Sequence, residues 1–163
     1  MAFLGDTGLK RRIRALLWSL LGLFAVASPF TSPVKSGQAQ FPLLSGAKID
    51  PPVLAIFKRS CQDCHSEATR YPWYAYIAPV SWWIENDVAA GRRHLNLSRW
   101  NEYSLVRKER NLSEIANQVK DREMPLRQYT LMHRSARLSE ADVDAIFLWT
   151  QTERARLIAE SRR

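Results

Sequence analysis

The sequence predicts an all-α protein: a small helical domain preceded by an N-terminal signal or anchor segment. Several segments after residue 49 place apolar residues at the spacing of a helix, and no segment alternates apolar and polar residues as a half-buried strand does. The chain has 163 residues, which suffice for one compact domain but not for two. We therefore divide it into a signal peptide or membrane anchor at 1–27, a linker at 28–48, one domain at 49–159 and a tail at 160–163.

The N-terminal segment has the three parts of a secretory signal. A basic stretch at 10–14 precedes an apolar run at 15–27, and this run ends in the small residues 25–27. The run is shorter than the roughly 20 residues that span a bilayer. We therefore favour export over retention as a membrane anchor, and a second possible cleavage position lies at 37–39.

The linker at 28–48 leads into the first helix of the domain. The stretch contains Ser, Pro and Gly, has little charge and shows no sustained period. Asp50 can then cap a helix whose first turn accepts the two prolines that follow it. This helix runs into Cys61, so the domain is predicted to begin near Ile49.

Two further helices are predicted in the middle of the domain. Residues 79–90 are rich in Trp, Ile and Val, and Gly91 is placed to end this helix. Asn111, with Glu114 three residues later, resembles a capping box and predicts the start of the next helix. That helix must end before Pro125, because the residue before a proline avoids the helical conformation.

The last predicted helix begins after Ser139. A serine followed by Glu140 and Asp142 is typical of a helix N-terminus, where side-chain oxygens accept from unpaired backbone N–H groups. Val143 and Ile146 then continue at helical spacing. This helix completes the all-α prediction.

The charge of the chain suggests an anionic partner, but not nucleic acid. The formal net charge is +8; residues 1–27 contribute +3 of it, which leaves +5 for the rest. No basic run on the scale of a nucleic-acid arm follows residue 14, and the remaining Lys and Arg alternate with acidic residues as they do on solvated helix faces. We expect redox partner proteins with an acidic docking surface, a possible membrane tether, and no nucleic acid.

One short motif, Cys61-Gln62-Asp63-Cys64-His65, predicts the chemistry of the site. Attachment of haem c requires two thiols that add to the two vinyl groups and a nearby imidazole that coordinates the iron, and Cys-x-x-Cys-His supplies all three groups. The predicted export is consistent with this, because such attachment occurs outside the cytoplasm. We therefore predict one covalent haem c per chain, bound through Cys61 and Cys64 with His65 as an iron ligand.

Three other interpretations of the cysteine pair are open. A thioredoxin-like pair would lie near a βαβ pattern, and the sequence has no strand signal. A structural zinc site usually combines two spaced pairs of ligands, and a second pair is absent from the sequence. A disulfide between Cys61 and Cys64 would close a very small loop, which stabilises little by chain entropy.

The second axial ligand of the iron is predicted to be Met124. It precedes Pro125, where a helix must end and a rigid loop can present the thioether, and methionine raises the reduction potential relative to a second histidine. His133 is the alternative ligand. Met132 is more readily explained by core packing and His94 by surface exposure, because methionine fills core gaps and His94 lies among polar residues.

From residue 53 to residue 159 the chain resembles the haem-binding domain family of bacterial c-type cytochrome-like proteins. The resemblance rests on Cys61-Gln62-Asp63-Cys64-His65-Ser66, Thr69-Arg70-Tyr71-Pro72-Trp73-Tyr74, Pro79 with Trp82 and Trp83, Gly91-Arg92-Arg93-His94-Leu95-Asn96 with Ser98 and Trp100, Glu123-Met124-Pro125-Leu126 with Tyr129 and His133, and Leu138-Ser139. It implies a cytochrome c-like helical domain around one covalent haem.

The chain departs from the family pattern at two places. Arg134 follows His133 where the family often has proline, which leaves the role of His133 open. Asn86-Asp87-Val88 stands where a histidine-valine pair is frequent, so that histidine is absent. Neither change affects the attachment motif.

The predicted function is electron transfer in the periplasm, by a protein that is soluble or tethered to the inner membrane and transforms no substrate by itself. The alternative is a five-coordinate haem sensor or a peroxidase-like enzyme, in which Met124 only packs and a small molecule binds the open iron position. A third hypothesis, a non-haem binding module at the membrane, requires the attachment motif to be accidental.

Overall fold

The computed structural model describes residues 6–27 and 41–163, and within them it contains helices and no strands, which confirms the all-α prediction. The second predicted cleavage position, 37–39, lies outside the described residues, as does most of the predicted linker. The α-helices are α1 (Asp6–Ala27), α2 (Pro51–Ser60), α3 (Gln62–His65), α4 (Val80–His94), α5 (Leu105–Lys120), α6 (Arg127–Met132) and α7 (Glu140–Ser161), with short 3₁₀ helices at Trp73–Tyr76, Leu97–Glu102 and Arg134–Ala136.

The chain divides into two units. The first comprises Met1–Lys35 and Tyr71–Glu85, and the second comprises Ser36–Arg70 and Asn86–Arg163. In the first unit, the side chains at positions 8–23 of α1 are all exposed. Within the described ranges, none of the helices combines the length and the apolar character needed to cross a membrane.

The hydrophobic core of the second unit lies where α5 packs against α7. α2 joins it through Phe57, whose ring meets the Trp149 ring edge-on with 5.1 Å between centroids, an arrangement that aromatic pairs favour. The buried members of the core are Leu44, Ile56, Phe57, Leu97, Trp100, Leu112, Ile115, Val119, Val143, Ile146 and Trp149.

The packed body begins before residue 49, the predicted start of the domain. Leu44 is only 1% exposed, and its backbone N–H donates to the Leu97 carbonyl at 2.9 Å. The Trp149 indole N–H donates to the Lys48 carbonyl at 3.0 Å. The last residues of the predicted linker are therefore part of the core.

The predicted ends of two helices agree with the structure. α2 begins at Pro51, directly after Asp50, and runs to Ser60, beside Cys61, although the Asp50 side chain makes no capping hydrogen bond. At the start of α7, the Ser139 hydroxyl accepts from the Asp142 N–H at 3.1 Å, and the Asp142 carboxylate accepts from the Ser139 N–H at 2.8 Å. This reciprocal capping box confirms the start predicted for the last helix.

The predicted start of α5 and the predicted end of α4 are wrong, whereas α5 ends at Lys120, before Pro125, as predicted. α5 begins after Ser104, whose hydroxyl accepts from the Arg107 N–H at 3.3 Å, and Asn111 lies inside this helix, 2% exposed. The pattern of Asn followed three residues later by Glu also occurs inside helices. Here Asn111 is buried and takes the helical conformation of α5. α4 continues through Gly91 to His94, so Gly91 does not end this helix.

Candidate functional site

The two cysteines and His65 lie within about one helical turn, in the CxxCH segment (residues 61–65). The Cys61 N–H donates to the Phe57 carbonyl at 2.9 Å, at the end of α2, and α3 follows at once. The His65 N–H donates back to the Cys61 carbonyl at 3.0 Å, so local helical geometry brings the three side chains together. Both cysteines are free thiols and partly buried, so the disulfide considered from the sequence is not formed.

Both thiols are neutral at physiological pH. Burial, followed by the nearby Cys64 sulfur, raises the pKa of Cys61 to about 12. Burial, followed by the negative charges of Asp87 and Asp63, raises the pKa of Cys64 to about 11. The buried surroundings disfavour the thiolate, and the segment therefore presents two protonated sulfurs.

The imidazole of His65 has a defined orientation and tautomer. Its Nδ1 lies 3.0 Å from the carbonyl oxygen of Leu95, at the C-terminal end of α4. A carbonyl can only accept, so Nδ1 carries the hydrogen and Nε2 carries the lone pair. Burial lowers the pKa of His65, partly offset by the carbonyls of Leu95 and Gly91, so the ring is neutral at pH 7.

Gly91 allows α4 to lie directly against the CxxCH segment. A Cβ atom at this position would stand 2.7 Å from the Cys64 carbonyl oxygen, closer than such atoms approach in proteins, and 3.2 Å from the Cys64 carbonyl carbon. Only glycine fits, and the absence of a side chain lets the end of α4 bring the Leu95 carbonyl to His65.

Arg92 fixes the loop that follows His65. Its Nε donates to the Ser66 carbonyl at 2.8 Å and its Nη2 to the Thr69 hydroxyl at 2.8 Å. The Thr69 hydroxyl in turn donates to the Asp63 carbonyl at 2.6 Å. Arg92 carries no sequence signal for this role, because an arginine at the end of a helix is usually part of a solvated face.

The carboxylate of Asp63, between the two cysteines, is buried and accepts from two partners. Arg70 donates to it from its backbone N–H at 3.2 Å, from Nε at 3.1 Å and from Nη2 at 3.3 Å. The Tyr129 hydroxyl donates to Oδ2 at 2.7 Å. The x positions of the motif gave no signal for this network, which joins the CxxCH segment to α6.

The other predicted iron ligands lie outside the CxxCH segment. Met124 is half-buried in the Met124 loop (residues 121–126), and its N–H donates to the Gln118 carbonyl of α5 at 3.1 Å. His133 stacks on Tyr129 with ring centroids 4.3 Å apart. His94 is exposed, as predicted, whereas Met132 is 63% exposed, so the prediction that it fills the core is wrong.

The groups of the CxxCH segment fit haem c. They provide two protonated thiols one helical turn apart and a neutral imidazole whose Nε2 lone pair remains for a metal. Among residues 6–27 and 41–163, no three His, Cys, Asp or Glu side chains gather to hold a metal ion by themselves, so the zinc alternative finds no ligand set there.

Comparisons with known proteins agree with this chemistry. A family model described as a haem-binding domain matches residues 21–152. Cytochrome c peroxidase Ccp of Escherichia coli (strain K12) is 24% identical over 107 residues, which cover 64% of this chain and 23% of that protein. The matched region is thus about a quarter of that relative's length. No solved structure gives a significant match.

Proposed function

We propose, from the premise that this chain belongs to the haem-binding domain family, that it is a c-type cytochrome that transfers electrons in the periplasm. In this proposal one haem is bound covalently to Cys61 and Cys64, with His65 and Met124 as iron ligands. When bound, the haem supplies a one-electron couple between ferrous and ferric iron. The roles of the protein residues follow from their contacts.

The hydrogen bond between His65 and Leu95 is the single observation that best supports this proposal. The Leu95 carbonyl accepts from Nδ1 at 3.0 Å, which holds the ring in one orientation and leaves Nε2 to coordinate. Such a partner also raises the basicity of a ligating imidazole.

Cys61 and Cys64 would form the two covalent links. Each thiol would add its sulfur to one carbon of a vinyl group and its hydrogen to the other, so no oxidant or reductant would be consumed. Their position in one helical turn presents both sulfurs to the same ring. Because both thiols are protonated, they oxidise more slowly than thiolates before the haem is attached.

Met124 is the proposed second ligand. It is half-buried and lies in a loop pinned to α5 by the hydrogen bond from its N–H to the Gln118 carbonyl. A thioether ligand favours the ferrous state and so raises the reduction potential. His133 stacks on Tyr129 and its Nδ1 lies 3.2 Å from the Tyr129 carbonyl, a contact of the same kind as that of His65, so His133 remains the alternative ligand.

The proposal is tested with absorption spectra of the protein produced with periplasmic haem attachment, in the oxidised and reduced states. We expect the haem stain to stay with the denatured chain on a gel. We also expect a weak red charge-transfer band in the oxidised protein, which disappears in Met124→Ala and stays in Met132→Ala. Met132 is the matched control because it is exposed at the end of α6.

Two results would contradict the proposal at different points. A chain that loses its haem on denaturation has no thioether links, and covalent attachment is then excluded. An unchanged spectrum in Met124→Ala means that another group, or none, occupies the second axial position.

A second candidate function is peroxidase-like turnover at an open iron position. It is supported by the similarity to a protein named cytochrome c peroxidase, which this chain matches over about a quarter of that protein's length. Peroxide-dependent oxidation of a reduced small electron donor distinguishes the two functions. An electron carrier with Met124 bound turns over slowly and gains activity in Met124→Ala, whereas a peroxidase is active as the wild type.

The proposed location and partners follow from the sequence. We propose that residues 1–27 direct export and that the protein meets redox partners through basic side chains, since +5 of the net charge lies outside this segment. Mass spectrometry of the periplasmic form gives its N-terminus, and a rate of electron exchange that falls as salt increases would support an acidic partner surface.

A further inference from the structure

We infer that Tyr129 is a positioning residue, whose hydrogen bond to Asp63 holds α6 and the preceding Met124 loop against the CxxCH segment. The inference rests on the proposed function, in which the CxxCH segment binds the haem and Met124 coordinates the iron. Tyr129 would thus hold the Met124 loop and the CxxCH segment, which are distant in the sequence, in fixed positions relative to each other.

Asp63 is a firm anchor point. It lies between Cys61 and Cys64, and its side chain is about one-tenth exposed. Arg70 donates three hydrogen bonds of 3.1 to 3.3 Å to the Asp63 carboxylate. The Thr69 hydroxyl donates to the backbone carbonyl of Asp63. A carboxylate restrained in this way offers Tyr129 a fixed acceptor attached to the segment that would bind the haem.

α6 has a small set of other contacts, such as the hydrogen bond that Arg137 Nε donates to the Thr130 carbonyl at 3.3 Å. This helix has six residues, none of them buried, and no side-chain cap at its start. Leu131 and Met132 are 67% and 63% exposed. Short helices without an apolar buried face depend on tertiary contacts, so one strong hydrogen bond has a large share in the position of α6.

The bond from Tyr129 to Asp63 is of the strong kind. At 2.7 Å it joins the Tyr129 hydroxyl to a carboxylate oxygen in a half-buried setting, and hydroxyl–carboxylate bonds are shorter and stronger than bonds between neutral groups. Burial, followed by this hydrogen bond, raises the pKa of Tyr129 above its usual range, so the phenol remains a donor at any working pH.

Tyr129 and Met124 are close neighbours along the chain. Five positions separate them, and Pro125 restricts the backbone between them. The Tyr129 carbonyl also accepts from the N–H of His133, and the two rings stack, so the end of α6 moves as one piece with Tyr129. Release of the Tyr129 hydroxyl therefore loosens both sides of α6, including the Met124 loop.

The test is Tyr129→Phe, which keeps the ring and removes the hydroxyl. We expect the Met124 charge-transfer band to fall at least twofold. We also expect the α6 amides of Thr130 and His133 to exchange hydrogen about tenfold faster, the size expected for loss of one hydrogen bond to a charged group. Covalent haem should be unaffected.

Arg70→Gln is the matched control. It removes side-chain donors from the same carboxylate but leaves the Tyr129 hydroxyl bond in place. We expect its band and its α6 exchange to stay within twofold of the wild type, because the backbone N–H of residue 70 and the Thr69 hydroxyl still restrain Asp63. Equal losses in both variants would mean that the charge balance at Asp63, and not the position of α6, controls the site, and would overturn the inference.

The remaining outcomes separate this inference from the proposed function. If wild-type protein lacks covalent haem, or if Met124→Ala keeps the band, the proposed function fails and the inference fails with it. If both hold and Tyr129→Phe matches the wild type, only the positioning role is overturned. Faster exchange with an unchanged band also overturns it, because Tyr129 would then hold α6 without positioning Met124.

Discussion

At the scale of single residues, Gly91 shows how one missing side chain shapes the site. Helix propensity alone favours alanine over glycine inside α4 by about 1 kcal/mol. The contact with the Cys64 carbonyl acts in the opposite direction, because a Cβ atom 2.7 Å from a backbone oxygen forces one of two helices to move. Overpacking of this kind typically costs ~1–3 kcal/mol, and a backbone group cannot rotate away as a side chain can.

We therefore expect Gly91→Ala to lower the melting temperature, despite its better helix propensity. Asn86→Ala is the matched control, since Asn86 is exposed on the same helix and the change improves propensity without a new contact. Thermal unfolding followed by circular dichroism checks both variants. A melting temperature for Gly91→Ala at or above that of the wild type would show that α4 does not need its close approach to Cys64.

At the scale of secondary structure elements, Asp142 joins the start of α7 to the end of α2. Its carboxylate accepts from the Ser139 N–H and hydroxyl, both at 2.8 Å, and from Arg59 at 2.6 Å. Burial works against ionisation, but these hydrogen bonds and the Arg59 charge outweigh it and lower the pKa of Asp142 below its ordinary value of 3.8.

A lowered carboxyl pKa makes the stability contributed by Asp142 depend on pH. It is fully present above pH 3.8, the value taken for the unfolded chain, and is lost as the pH falls through the folded-state pKa. We expect Asp142→Asn to reduce the free energy of unfolding by about 1 kcal/mol at pH 7, the usual size of a helix-capping effect, and by progressively less below pH 3.8.

Urea unfolding of Asp142→Asn and the wild type across this pH range checks the prediction. Asp144→Asn serves as control, because Asp144 is an exposed carboxylate on the same helix. The interpretation fails if the loss of stability in Asp142→Asn is the same at pH 3 as at pH 7.

At the scale of the whole molecule, the N-terminal region has two kinds of apolar residue. Those of α1 described at positions 8–23 are exposed, whereas Leu44 is 1% exposed in the core of the second unit. Leu44 is removed from water on folding and the exposed leucines of α1 are not. We therefore expect Leu44, but not those leucines, to stabilise the second unit.

We expect Leu44→Ala to reduce the free energy of unfolding by ~2–5 kcal/mol, the range for leucine truncation in a core. Leu16→Ala, at a position that is 63% exposed, should stay within ~0.5 kcal/mol of the wild type. Denaturant unfolding of the two variants provides the comparison. Equal losses in the free energy of unfolding for Leu44→Ala and Leu16→Ala would contradict the conclusion that Leu44 belongs to the core of the second unit.

The features that follow from the local sequence were predicted well. The period of apolar residues and the Ser139 signal located α2 and α7, and the attachment motif located two thiols and an imidazole. These features depend on residues within one or two helical turns of each other, so their geometry follows from the helix itself. The chemistry of the site, and with it the haem hypothesis, was therefore accessible from the sequence alone.

Tertiary structure decided what each of these groups touches. The acceptor for His65 is Leu95, 30 residues away, and the donor to Asp63 is Tyr129, 66 residues away. The sequence predicts a helix end at Gly91, whereas the structure shows that Gly91 lies inside α4 and contacts the Cys64 backbone. Contacts of this kind depend on how helices pack, and helical periodicity shows only which face of a helix is buried, not which residue of another helix it meets.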